Sequence, residues 1–134
     1  MEGVSGEVVV PTIDQICGVN RRMIESFGGR FLPPTNFQKQ GSLESILAMV
    51  SSPLLAEDPY PTLKEKACAI AYQIITRHVF VDGNHRTAMH MAWEFLQGNG
   101  VGVTLEPSIN DLPVAIANGE AGYGELLRWL HDHQ

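Results

Sequence analysis

A chain of 134 residues, 44% hydrophobic and 18% charged, has the size and composition of one compact globular domain, which excludes a multidomain machine. Fifteen acidic against nine basic residues leave a formal charge of −6, the wrong sign for a surface that tracks the phosphates of duplex DNA. No apolar run nears the ~20 residues that span a bilayer, and the acidic start Met1 to Glu7 lacks the basic flank of a secretion signal, so a cytoplasmic chain is expected. In a reducing compartment Cys17 and Cys68, which form no Cys-x-x-Cys pair, are expected to be small buried apolar groups.

Residues 1–10 read as a loose segment ending in a short extended stretch at Val8-Val9-Val10, and residues 11–134 as a single domain. Thr12-Ile-Asp-Gln15 has the form of a capping box, and Ile13, Ile16, Cys17, Ile24 and Phe27 recur at helical spacing, so a first helix runs to about Phe27. Gly28-Gly29 ends it. The stretch through Gly41, with Pro33, Pro34 and Asn36, holds too many breakers for regular structure and predicts a mobile loop or short hairpin. Ser42 is the expected cap of a second helix with Leu43, Ile46, Leu47 and Val50 on one stripe, closed by Ser51-Ser52-Pro53.

After a loop to Pro61, Thr62-Leu-Lys-Glu65 is a second capping box. It opens a helix whose Ala67, Ile70, Ala71 and Ile74 share a stripe ending at His78. Asn84 is the expected cap of the next helix, with Ala88, Met91, Ala92, Phe95 and Leu96 inward and Gly98-Asn99-Gly100 as its stop. Two further helices are expected, one after Ser108 carrying Leu112 and Ile116 and one around Leu126 to Leu130. No repeat or strand series interrupts the pattern, so the fold class is all-α, a bundle of about six helices.

Chemistry concentrates in His78-Val-Phe-Val-Asp82-Gly83-Asn84-His85-Arg86-Thr87, where a turn leads straight into a helix start. Open backbone N–H groups and the partial positive charge of that start attract phosphate, Gly83 permits close approach, and Asn84 and Arg86 add donors. Asp82 supplies the hard oxygen that magnesium selects. His78 is a candidate base for a hydroxyl that attacks phosphorus. A rival arrangement takes His78, Asp82, His85 and His90 as zinc ligands. His90 and Glu94, one turn apart, read as a solvated outer face, and His131 and His133 as a frayed tail.

In register, His78, Phe80, Asp82, Gly83, Asn84, Arg86 and Thr87 resemble the signature of the Fic family, His-Pro-Phe-x-(Asp/Glu)-Gly-Asn-Gly-Arg-x-x-Arg. They are closer to its death-on-curing (Doc) branch, His-x-Phe-x-Asp-(Gly/Ala)-Asn-Lys-Arg-Thr. The likeness runs through Gly41-Ser-Leu-Glu44, Tyr60-Pro-Thr-Leu-Lys-Glu-Lys66, Phe95-Leu-Gln-Gly-Asn-Gly100 and Leu126-Leu-Arg-Trp-Leu130, about residues 11 to 132. It implies a small helical Fic/Doc-type fold and a transferase that uses ATP or a related nucleotide with magnesium to modify a Ser, Thr or Tyr hydroxyl of a protein.

By position the resemblance makes His78 the catalytic base and Asp82 the metal ligand. It makes Asp82, Gly83, Asn84, His85, Arg86 and Thr87 the nucleotide site, leaves Phe80 structural, and casts residues from about Arg30 to Gly41 as a flap that docks a target peptide. Two positions depart from the signature: His85 stands where nucleotidylating members have glycine and Doc-like ones lysine, and Met89 replaces the second arginine. A bulky side chain at position 85 crowds the pose that leads to nucleotide-monophosphate transfer (AMPylation), which favours γ-phosphoryl transfer, as in a kinase. The alternatives are AMPylation by the same site, or a nucleotide- or protein-binding module with impaired chemistry. The family's inhibitory string Ser/Thr-x-x-x-Glu-(Gly/Asn) does not occur, so a toxin of this type is expected to be restrained in trans by an antitoxin laid near Arg86.

Overall fold

The computed structural model describes residues 8–51, 58–104 and 111–134. They form six helices: α1 (Ile13–Phe27), α2 (Gln40–Ser51), α3 (Leu63–Arg77), α4 (Asn84–Gly98), α5 (Asp111–Ala117) and α6 (Tyr123–Asp132). The all-α expectation holds, with, among the described residues, a single antiparallel bridge between Phe37 and Phe80 in place of a hairpin. Ser108, after which the fifth helix is expected, the Ser52-Pro53 stop and the first seven residues lie outside the described residues. Among the described residues no helix is long and apolar enough to cross a membrane.

Both capping boxes form. At α1 the Gln15 N–H donates to Thr12 Oγ1 at 3.1 Å and the Thr12 N–H to Gln15 Oε1 at 2.7 Å. Thr62 and Glu65 repeat the exchange at 3.1 Å each way. Each box satisfies two donors that a helix start otherwise leaves open, and losing such a cap costs ~1 kcal/mol. The α2 start differs from expectation, because the helix begins at Gln40 and Ser42 sits inside its first turn, its N–H donating to Lys39 O at 3.2 Å. Entry is fixed from outside the helix: the N–H groups of Gln38 and Lys39 both donate to Val79 O, at 2.8 and 2.9 Å.

α3 is the hub. It packs against α2, α4, α5 and α6, and Ala67, Cys68, Ile70, Ala71, Ile74 and Ile75 are sealed from solvent. Its three small alanines let neighbours approach from several sides, which is why burial extends well beyond one stripe. Burial pushes the Cys68 thiol up to about 12, while Cys17, expected to be buried, is only half-buried. The C-terminal histidines are tied down rather than frayed. His131 Nδ1 lies 3.1 Å from the buried Lys64 Nζ, and His133 stacks on Trp129 with its Nδ1 2.8 Å from Trp129 O.

α1 packs on α4, with Ile16, Val19 and Ile24 among its buried residues. The pair is also bridged at its edge, where Glu94 Oε2 takes His90 Nε2 at 2.6 Å and the Arg22 guanidinium at 3.2 Å. The His90–Glu94 face thus joins two helices instead of only meeting water.

Candidate active site

The segment between α3 and α4 begins where α3 stops. His78 is the C-cap of α3 in the left-handed region (φ 50°, ψ 59°), its N–H donating to Ile74 O. The apolar stripe therefore does not end on a buried imidazole, for the αL twist turns His78 out to solvent. The next two residues reverse direction: Val79 and Phe80 are fully buried. Phe80 stacks on Phe37 with ring centroids 5.1 Å apart, and burying a phenylalanine is worth roughly 1.5–3 kcal/mol, enough to anchor the turn that follows.

Asn84 was expected to cap α4, and it does something else. Gly83 holds the N-cap position in the left-handed region (φ 76°, ψ 15°). The Asn84 side chain folds back instead, Oδ1 accepting the Phe80 N–H at 2.9 Å and Nδ2 donating to Phe80 O at 2.8 Å. Its amide replaces a strand partner for Phe80 and closes the turn. Because the Gly83 cap makes no side-chain bond and the first helical bond is Thr87 N–H to Gly83 O, the N–H groups of Asn84, His85 and Arg86 lack intrahelical acceptors. An oxyanion can meet all three there.

Asp82 is oriented by backbone. Its Oδ2 accepts the Arg30 N–H and its Oδ1 the Gly83 N–H, each at 2.9 Å, and these two donors, Arg30 first, hold the carboxyl below the usual aspartate range. Gly29 makes this approach possible: it lies at φ +131°, and a Cβ there would sit 3.0 Å from Asp82 Oδ2 and 2.9 Å from Ile24 Cδ1. The glycine pair does more than end α1.

These groups line one cleft of about 320 Å³, with His78, Val81 and residues 82–86 on one side and Met23 and Gly28 of the α1 end on the other. Arg86 is exposed, and its guanidinium carbon lies 4.0 Å from the centroid of the Phe27 ring. His85 is half-buried; desolvation, with the neighbouring His78 adding to it, lowers its basicity against the pull of Asp82, so its ring is neutral at pH 7. Thr87 was expected at the nucleotide and lies beneath the cleft, fully buried, its Oγ1 accepting Asn20 Nδ2 at 3.1 Å. Met89, at the second-arginine position, belongs to the core.

Among the described residues no three His, Cys, Asp or Glu side chains gather as a metal site, and His90, a candidate zinc ligand, is paired with Glu94. A single ionised, part-buried carboxylate does suit magnesium, which keeps several waters and shares the rest of its shell with phosphate oxygens. Two site residues escaped the sequence reading. Asn20 is a polar residue one turn from both Ile16 and Ile24 on the buried face of α1, a detectable anomaly, whereas Asn36 sits in a proline-rich loop with no comparable signal.

A helix bundle presents an exposed imidazole, an ionised carboxylate and an open helix start in one cleft, which gives it the charge and donors to receive an oxyanion. Residues 11–96 match the Fic/DOC family, and the chain belongs to that family. It is 37% identical over 76 residues to the protein named Toxin Doc of Mycolicibacterium smegmatis, an alignment covering 57% of this chain and 55% of that relative. It is 31% identical over 121 residues to the Protein kinase doc of Escherichia phage P1, covering 88% of this chain and 92% of the relative.

Proposed function

We propose that this chain is a Doc-like transferase that moves the γ-phosphoryl group of ATP, with magnesium, onto a Ser, Thr or Tyr hydroxyl of a target protein. The observation that carries the reading is the shared cleft, in which His78, Asp82 and the three open N–H groups of α4 meet. A phage relative named as a protein kinase supports the direction of transfer. The relative named as a toxin supports restraint by an antitoxin acting in trans.

In this reading His78 takes the proton from the target hydroxyl as its oxygen bonds to the γ-phosphorus. The bond from that phosphorus to the β–γ bridging oxygen breaks, and ADP leaves. The α4 N–H groups and Arg86 hold phosphate oxygens, the geometry in which preorganised donors lower a barrier most. Magnesium, when bound at Asp82, supplies further neutralisation of phosphate charge. His85, bulky and neutral, narrows the helix start that a glycine leaves open.

Incubation of the protein and a lysate with α- or γ-labelled ATP tests the reading. Label is expected from γ-labelled ATP only; transfer from α-labelled ATP alone means nucleotidylation, and binding without transfer means a recognition module. His85→Gly is expected to move product towards the monophosphate if side-chain bulk sets the pose, and an unchanged product rules that cause out.

Phe27 offers a quieter prediction. It is 59% exposed, so Phe27→Ala is expected to leave the fold intact while removing the ring that holds Arg86. A cation–π contact at an exposed site is worth ~0.5–1 kcal/mol, so KM for ATP should rise roughly 2- to 5-fold with little change in kcat. Phe27→Tyr should retain the parent value. An unaltered KM in the alanine variant would mean that the ring does not position Arg86 during turnover.

A further inference from the structure

Beneath the cleft, two asparagines join the 30–37 loop to the turn that carries Asp82. Asn20 and Asn36 are both fully buried. Asn20 Nδ2 donates to Asp82 O at 2.9 Å and to Thr87 Oγ1 at 3.1 Å, and Asn20 Oδ1 accepts Asn36 Nδ2 at 3.0 Å. Asn36 Nδ2 also donates to Arg30 O at 3.1 Å, and Asn36 Oδ1 accepts the Leu32 N–H at 2.7 Å. Its main-chain carbonyl takes the Val81 N–H at 2.8 Å.

The bonds close a circuit. From the Asp82 carbonyl the path runs through Asn20 and Asn36 to the Arg30 carbonyl, and the N–H of that same Arg30 returns to the Asp82 carboxylate. One residue is thus held at its main chain and at its side chain by the two ends of one network. Packing alone does not call for this, because buried amides are costly unless every bond is made and apolar residues would fill the space without that demand. The Asn36 backbone points the same way. It lies at φ 63°, a conformation glycine adopts at no cost, so what asparagine adds over glycine is the side-chain amide.

We propose that Asn20 and Asn36 are positioning residues for Asp82. They hold the Arg30 N–H on Oδ2 and so fix which carboxylate lone pairs remain open to magnesium. The metal clause rests on the function proposed above; the circuit itself does not. The same circuit ties the loop expected to dock the target to the carboxylate expected to hold the metal.

Asn36→Gly tests this with little backbone strain, since it keeps the positive φ and deletes the amide. Hydrogen exchange of the Arg30 amide, measured on the full chain without nucleotide or metal, is expected to quicken at least 10-fold while α3 core amides keep their protection. The magnesium concentration that half-saturates binding of a fluorescent ATP analogue is expected to rise about 10-fold, with affinity at saturating magnesium within 2-fold of the parent. A general loss of packing would not produce that split. If Asn36→Gly fails to fold, Asn20→Ser breaks the circuit at its other member and is read in the same two ways.

Unchanged Arg30 exchange overturns the proposal, as does faster exchange with an unchanged magnesium requirement. A parent protein that binds no nucleotide refutes the proposed function instead, and Arg30 exchange then decides the circuit by itself.

Discussion

The His78→Asn variant is expected to lose group transfer by a factor of about 10²–10⁴, the usual worth of a positioned general base, while it melts within a degree or two of the parent. Both halves follow from where His78 sits. Its ring is exposed at the cleft, so no core contact is lost. Its backbone is left-handed, and asparagine tolerates that region where alanine adds ~1–2 kcal/mol of strain. Asparagine therefore separates chemistry from folding in a way that His78→Ala does not. Binding of MgATP should hold within about 2-fold, because in the proposed mechanism the α4 N–H groups and Arg86 grip phosphate without the imidazole. Transfer rates measured with labelled ATP check the claim, and a variant retaining more than a tenth of parental transfer would remove His78 from the role of base.

Asn84→Ala is expected to act mainly on stability. The side chain is buried, and its two bonds to Phe80 satisfy a main-chain N–H and C=O in the interior. Alanine leaves both without partners at about 1–3 kcal/mol for each such group, so a total of roughly 2–6 kcal/mol and a fall in Tm of about 7–20 °C are expected for a chain of this size. Thermal melting followed by circular dichroism reads this directly. Measured well below the new midpoint, KM for ATP should stay near the parental value, since the donor proposed to face phosphate at this position is the main-chain N–H that alanine keeps. A variant with parental Tm and a raised KM would return the Asn84 amide to the phosphate.

The sequence by itself determined the elements and the identity of the motif. Capping boxes at Thr12 and Thr62, the Gly28 stop and the Gly98-Asn99-Gly100 run, and apolar residues at helical spacing act within a few residues along the chain, so helix limits there are legible without a fold. The run from His78 to Arg86 is equally local, a turn feeding a helix start, and most of its members line the cleft. Where the reading failed, the deciding contact came from elsewhere in the chain or from an unseen backbone angle. Val79 O collects the N–H groups of Gln38 and Lys39 and moves the α2 start ahead of Ser42. A left-handed cap turns His78 outward from a stripe that pattern alone carries inward.

Only the tertiary structure decided the support of the site. Asn20 lies 62 residues from Asp82, and Arg30 lies 52 residues from it. Such bonds depend on α1 packing against α4 and on the 30–37 loop folding over the turn, which nothing in the motif's own spacing encodes. Thr87 illustrates the difference: its place in the motif suggests the ligand, yet the α1–α4 packing puts its hydroxyl under Asn20. Local spacing names the groups that can meet a phosphate, and long-range burial decides which of them face the cleft and which hold the others in place.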